Sequence, residues 1–398
     1  MSLDVRQEPK TVPDYSLTGD LLSYLRCGLQ YRYQNGSALP PARPVQLWFG
    51  EFIHGVMEMA YTMWKERGLA LPWPYTPIAW EDREMGMGLP DNDIGEIGRR
   101  IELVLAVQGK IARSSDARRM AYDRAAAAVN LIGPALFPLV AFAEEPLSGS
   151  RALPNPTNDS LRAERYGVTG VADVLTNITL SAVPEDNLIR AAVTKALEAA
   201  GQSIPPEFEV IVDYKGAARP DVGTGKRDYW QQHDWQIQMY AWLRGRKVDA
   251  KPVVAGIVIY VNELLPGVAD AAKIRAQITN RLTDIIPARG SPDDYVLSMA
   301  RPGTRPGGEF SETFRIGRAL RVIPVTSASI ERAGAAFDEV VLEIEKRISD
   351  EIYCEDISKA WAPNCQEEET CSACDFRYFC PKPFGVDPGY VVAAPHAP

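Results

Sequence analysis

Glu209-Val-Ile-Val212-Asp213-Tyr214-Lys215 is a short run of strand-forming residues that ends in an acid and a base. Residues two apart on a strand project to one face, so Asp213 and Lys215 can enter one cleft together. A carboxylate placed there can hold a divalent metal, and a neighbouring ammonium can orient a water or offset charge on a transferring phosphoryl group. Upstream, Gly170-Val-Ala-Asp173 lies on a second strand signal. Neighbouring strands run about 4.8 Å apart, so pairing of the two would let Asp173 and Asp213 share one cation. Such oxygen ligands suit magnesium or manganese, and a nitrogen from His54 shifts the preference toward manganese.

Downstream, Gln236-Ile-Gln-Met-Tyr240 places Gln236 and Tyr240 on one helical face. Gln236 can contact a nucleotide or orient the lysine, and Tyr240 can stack on a base or bond to phosphate. Each piece alone also fits an ordinary feature: a surface ion pair, a turn aspartate, a core histidine, a packing tyrosine. Their order along the chain is what gives them weight.

Working outward, strand character is expected at Leu139–Glu144, Tyr166–Leu175, Phe208–Tyr214 and Pro252–Val261, with an amphipathic helix at Asp228–Leu243. Helices are expected over 17–33, 48–66, 93–131, 187–199, 268–283 and 327–348. Thr18 or Asp20 can cap the first, which carries Cys27 near its end. In the second, His54 and Glu58 share a face, and Gly50 would allow close backbone approach. The stretch 262–310 becomes rich in Pro and Gly after its helix, and the tail beyond Pro381 reads as irregular.

With 398 residues, 46% hydrophobic and 24% charged, the chain has an ordinary globular composition and enough length for a sizeable core. The net charge of -9 excludes a wholly basic nucleic-acid coat but leaves room for a local basic groove. Arg219, Lys226, Arg227, Arg244, Arg246 and Lys247 flank the Asp-x-Lys strand and the Gln-x3-Tyr helix and are candidates for phosphate contacts. No long apolar run suggests a membrane span and no secretory leader is visible, so a cytoplasmic setting is expected.

The six cysteines are unevenly placed: Cys27 stands alone, and Cys354, Cys365, Cys371, Cys374 and Cys380 crowd together near the other end. Cys371-x2-Cys374-x5-Cys380 is a spacing that can grip zinc or an iron–sulfur cluster. A fourth ligand could come from Cys27, if the fold joins the chain ends, or from Cys365. Buried thiols are the ordinary alternative.

Five pieces together resemble the PD-(D/E)XK nuclease superfamily, in particular its RecB-type and Cas4-like exonuclease branch. They are Gly50-Glu-Phe-Ile-His54-Gly-Val-Met-Glu58, Gly170-Val-Ala-Asp173, Val212-Asp213-Tyr214-Lys215, Gln236-Ile-Gln-Met-Tyr240, and Cys27 with Cys371, Cys374 and Cys380. Two departures stand out: Asp213 where glutamate is frequent, and no arginine before Asp173.

The resemblance implies a restriction-endonuclease-like α/β core, a mixed central sheet flanked by helices, with helical insertions and an iron–sulfur staple joining the N- and C-terminal regions. The implied organisation is a helical region at 1–138, the core at 139–262, a helical extension at 263–350 and a cysteine region with tail at 351–398. The implied activity is Mg2+- or Mn2+-dependent hydrolysis of DNA phosphodiesters, as an exonuclease preferring single strands. His54, Asp173 and Asp213 would bind the metal. Asp173, Asp213, Lys215, Gln236 and Tyr240 would form the catalytic set. Cys27, Cys371, Cys374 and Cys380 would hold a structural 4Fe–4S cluster. Single-stranded DNA is the implied partner, with a helicase or a repair or adaptation complex as a possible further one. Two rival readings are a catalytically inactive DNA-binding or assembly subunit, and a zinc-stapled protein unrelated to nucleic acid.

Overall fold

The structure is a computed structural model that describes residues 12–35, 45–154, 162–222, 229–267, 270–301, 308–365, 371, 374, 376–377 and 380–381. Its centre is a six-stranded mixed sheet. The strands are β1 (Asp14–Ser16), β2 (Val140–Ala152), β3 (Arg165–Thr179), β4 (Glu207–Lys215), β5 (Val253–Tyr260) and β6 (Leu320–Pro324). β3 lies against β2 on one side, antiparallel, and on its other side meets β1 in parallel and then β4 in antiparallel pairing. β4 and β5 run parallel, and antiparallel β6 closes the series.

β4 explains why the sheet is covered twice. Phe208 through Tyr214 is buried without a break, the pattern of a strand with helices on both faces. Val210, Val212 and Tyr214 join one core, which also takes residues of the helices Val45–Arg67, Ile94–Val107, Ser115–Leu136 and Leu188–Ala199. Ile211 joins the other, with residues of Gly28–Asn35, Tyr229–Arg244 and Ser327–Cys354. Asp213 and Lys215 follow Ile211 in the strand alternation, so they fall on the side of the Tyr229–Arg244 helix that carries Gln236 and Tyr240.

The expected long helices are partly broken. The stretch 93–131 is two helices, parted where Gly109 takes φ +76 and Ser114 caps the second by accepting from the Ala117 N–H. The stretch 17–33 breaks at Cys27, whose backbone is extended, and its first turn is capped by Ser16, whose own N–H donates to Asp20 Oδ2, and not by Thr18. Short β1 and β6, and the helices Pro292–Met299 and Glu312–Ala319, had no clear local signal. No helix among the described residues is long and apolar enough to cross a membrane.

The fold is thus α/β with a mixed, open sheet between helices. The expected iron–sulfur staple is corrected. The chain ends do meet, but through protein contacts. Arg32 and Glu351 form a buried ion pair at 2.6 Å, and Trp361 Nε1 donates to the same carboxylate. The Gly28 and Leu29 N–H groups donate to Asn364 Oδ1 and the Ala362 carbonyl, while Tyr24, Tyr31 and Trp361 pack their rings together.

Candidate functional site

Sheet register builds the site. Val174 pairs with Val212 as the last step of the β3–β4 ladder, so Asp173 and Asp213 come level one step further, where the strands part. Both are buried, at 8% and 2% exposure. Asp173 Oδ2 accepts the Tyr214 N–H at 2.7 Å, which fixes one carboxylate oxygen and leaves Oδ1 toward His54. Burial pushes Asp173 up to about 7, opposed in part by His54 and reinforced by Asp213.

Around Asp213 the polar groups interlock. Lys215 Nζ lies 2.8 Å from Asp213 Oδ2 and donates to Gln236 Oε1 at 2.9 Å. Gln236 Nε2 donates to Asp213 Oδ1 at 2.8 Å and to the Tyr240 hydroxyl at 3.2 Å. Since that hydroxyl already accepts from Gln236, its own hydrogen is available for a bond into the cleft. Burial raises Tyr240 above its ordinary value, so it stays protonated. Asp213 Oδ2 is buried and has no hydrogen bond of good geometry, its close approach to Lys215 notwithstanding. Gly170 seats the tyrosine: a Cβ there would stand 2.7 Å from the Tyr240 ring. Gly50, by contrast, has nothing within 4 Å of a Cβ, so close approach is not its role.

These residues open on a cleft of about 1180 Å³ lined by His54, Asp173, Asp213, Lys215, Gln236, Tyr240 and Lys247, among others. The basic candidates divide. Arg219 is engaged by Asp284 and the Arg318 and Leu320 carbonyls, and Arg244 by Glu209 and Asp249. Both are buried structural ions, which corrects their assignment to phosphate. Arg246 lies over the Trp242 ring. Lys226 and Arg227 lie outside the described residues. Lys247 reaches the cleft.

The His54 ring shows what the site can hold. Its Nε2 lies 3.0 Å from the Tyr214 carbonyl, which can only accept, so Nε2 carries hydrogen. Nδ1 lies 3.5 Å from Asp173 Oδ1. A ring held by a carbonyl at its other nitrogen is the usual arrangement of a ligating histidine. His54, Glu144 and Asp173 each offer a ligand atom, all within 4.8 Å of one another. Glu144 was missed in the sequence, because no local pattern reveals which strand will lie beside Asp173.

Two expectations about metals are corrected here. Magnesium or manganese was expected on His54, Asp173 and Asp213. The group brought within reach of one ion is instead His54, Glu144 and Asp173, while Asp213 is held by Lys215 and Gln236. A 4Fe–4S cluster was expected on Cys27, Cys371, Cys374 and Cys380. With Cys365, these four do line one cavity of about 400 Å³, but among the described residues no cysteine belongs to a group of three or more ligand atoms within that distance. Leu29, Tyr33, Pro363 and Phe376 share the cavity wall. Burial pushes the Cys374 thiol up to about 12, and the neighbouring Cys27, Cys371 and Cys380 add to the rise.

No protein-family model matches this chain, and no curated protein matches its sequence. The expectation of a single-strand exonuclease built around a 4Fe–4S cluster is therefore corrected along with the cluster it relied on.

Proposed function

We propose that this chain is a divalent-cation-dependent hydrolase of phosphate diesters. The observation that carries the reading is the Asp213–Lys215–Gln236–Tyr240 network opening on the cleft beside His54 and Asp173.

A divalent cation bound at His54 and Asp173 supplies Lewis-acid polarisation of a phosphoryl oxygen and lowers the pKa of a water. The chain's own residues do the rest. Lys215, held by Asp213 and Gln236 yet about a quarter exposed at its side chain, offsets charge as phosphorus becomes five-coordinate. Asp213 Oδ2 can accept a hydrogen from the attacking water and so hold it in line. The Tyr240 hydroxyl donates to a non-bridging phosphate oxygen, and Lys247 at the cleft edge favours a polyanionic strand. The motif resemblance to the PD-(D/E)XK superfamily supports the same reading. The setting we infer is the cytoplasm, and strand opening, where needed, is the work of a separate partner.

The test is hydrolysis of bis(p-nitrophenyl) phosphate and of end-labelled DNA, by wild type and by Lys215→Ala, with chelator and after addition of divalent salts. Cation-dependent turnover that the variant loses supports the reading. Turnover equal in both proteins, or none with any cation or strand, defeats it.

A further inference from the structure

Asp173 has an acid level with it on each neighbouring strand. Asp213 is one, as the β3–β4 register shows. The other is Glu144, which falls between the pairs Ala143↔Val174 and Glu145↔Ala172 of the β2–β3 ladder. Glu144, Asp173 and Asp213 are thus level across three strands, Glu144 being exposed and in a left-handed backbone conformation, φ 50. Strand spacing of about 4.8 Å puts the two outer acids roughly 10 Å apart. Asp213 is outside the group whose ligand atoms all lie within 4.8 Å of one another.

The structure shows which neighbour is available. Asp213 is engaged by Lys215 and Gln236. Glu144 stands with His54 and Asp173 in the convergent group. The wall formed by His54 and Asp173 is also shared by two cavities. One is the cleft with Lys215 and Tyr240; the other, about 280 Å³, carries Glu58 and Glu144. His54 is held at Nε2 by the Tyr214 carbonyl and Asp173 at Oδ2 by the Tyr214 N–H, which turns Nδ1 and Oδ1 together toward this gap.

We propose that Glu144 is a ligand of the cation held by His54 and Asp173. The ion sits on the Glu144 side of Asp173, leaving the Lys215 side to the phosphate diester. One imidazole nitrogen and two carboxylates make a mixed set suited to first-row divalent ions. This deepens the reading of the same site as a cation-dependent hydrolase and rests on it.

Cobalt(II) chloride is the probe, titrated into cation-free protein. The d–d absorption reports nitrogen and oxygen ligands, and a thiolate charge-transfer band would report the cysteines separately. Glu144→Gln should weaken the d–d-reporting site by on the order of tenfold to a hundredfold, the range set by loss of a group that supports a metal. Glu144→Asp should recover part of that loss. Glu145→Gln, which removes the adjacent charge paired with Lys247, should leave the affinity unchanged. The cation concentration needed for half-maximal hydrolysis should rise in Glu144→Gln, with the saturated rate largely kept. Thermal unfolding of the cation-free variants shows that each is folded. Equal cobalt affinity in wild type and Glu144→Gln, with His54→Ala still abolishing binding, overturns the role of Glu144 and leaves the hydrolase reading standing. An equal loss in Glu145→Gln overturns it too, since general charge and not ligation would then be at work. No d–d band in wild type removes the cation site itself, and both readings fall.

Discussion

At the cleft, Asp213, Lys215 and Gln236 touch one another, Asp173 accepts the Tyr214 N–H, and a histidine nitrogen and a carboxylate oxygen face a gap. At the other end, five cysteines line a cavity together with Leu29, Tyr33, Pro363 and Phe376, and the Cys374 thiol is pushed toward its neutral form. Both regions can be picked out as ligand sets from residue spacing. Among the described residues, only the first brings a histidine nitrogen and two carboxylates within reach of one ion. The second is coherent as a packed seam between chain ends that hydrogen bonds and a buried ion pair already join. Spacing alone identifies groups that can meet. The environment where they meet decides their chemistry.

The largest effect expected on the cleft side is from Lys215→Ala. Removing a charge aimed at the transition state costs about 10²–10³ in turnover, measured as kcat on labelled DNA under saturating cation. A fall in affinity alone, at unchanged kcat, would make Lys215 a strand-binding residue. On the seam side, Arg32→Ala leaves Glu351 buried and short of a counter-charge, so it should destabilise by about 3–5 kcal/mol. Cys374→Ser should cost less, about 1–2 kcal/mol. Denaturant unfolding of the two variants compares them. A cysteine variant as damaging as Arg32→Ala would show that the thiols hold the seam.

Tyr240→Phe removes one hydroxyl donor and should slow turnover about tenfold, near the worth of a single hydrogen bond. Its unfolding should change little.

A further comparison concerns pH. Asp173 rises from 3.8 to about 7 in the native state. The native protein therefore binds that proton more tightly than the unfolded chain. Its contribution to stability is full below pH 4 and is lost as pH climbs toward 7. Cation-free wild type should thus lose stability across that window, whereas Asp173→Asn should not. Above pH 7 the variant should be the more stable by about 1–3 kcal/mol, read as unfolding midpoint against pH. Parallel profiles for the two proteins would contradict it.

Much of this was readable before the fold was known, for definite reasons. β4 stands out because a strand covered on both faces is apolar throughout, and Asp-x-Lys at its end follows strand periodicity. Gln236 and Tyr240 follow helix periodicity. Asp173 needed only the guess that two adjacent strand signals pair. Glu144 was out of reach, because its meaning depends on the β2–β3 register and not on any local pattern. The roles of Arg219 and Arg244 failed similarly: Asp284 and Glu209, which neutralise them, lie 65 and 35 residues away. The break at Cys27 left no mark in a leucine pattern that runs through it.

Anomalous diffraction from crystals soaked in cobalt(II) would compare the two regions in one map. A cobalt peak bounded by His54, Glu144 and Asp173, with none in the cysteine-lined cavity, is the expected result. A metal peak among Cys27, Cys371, Cys374 and Cys380, with the acidic row empty, would contradict it.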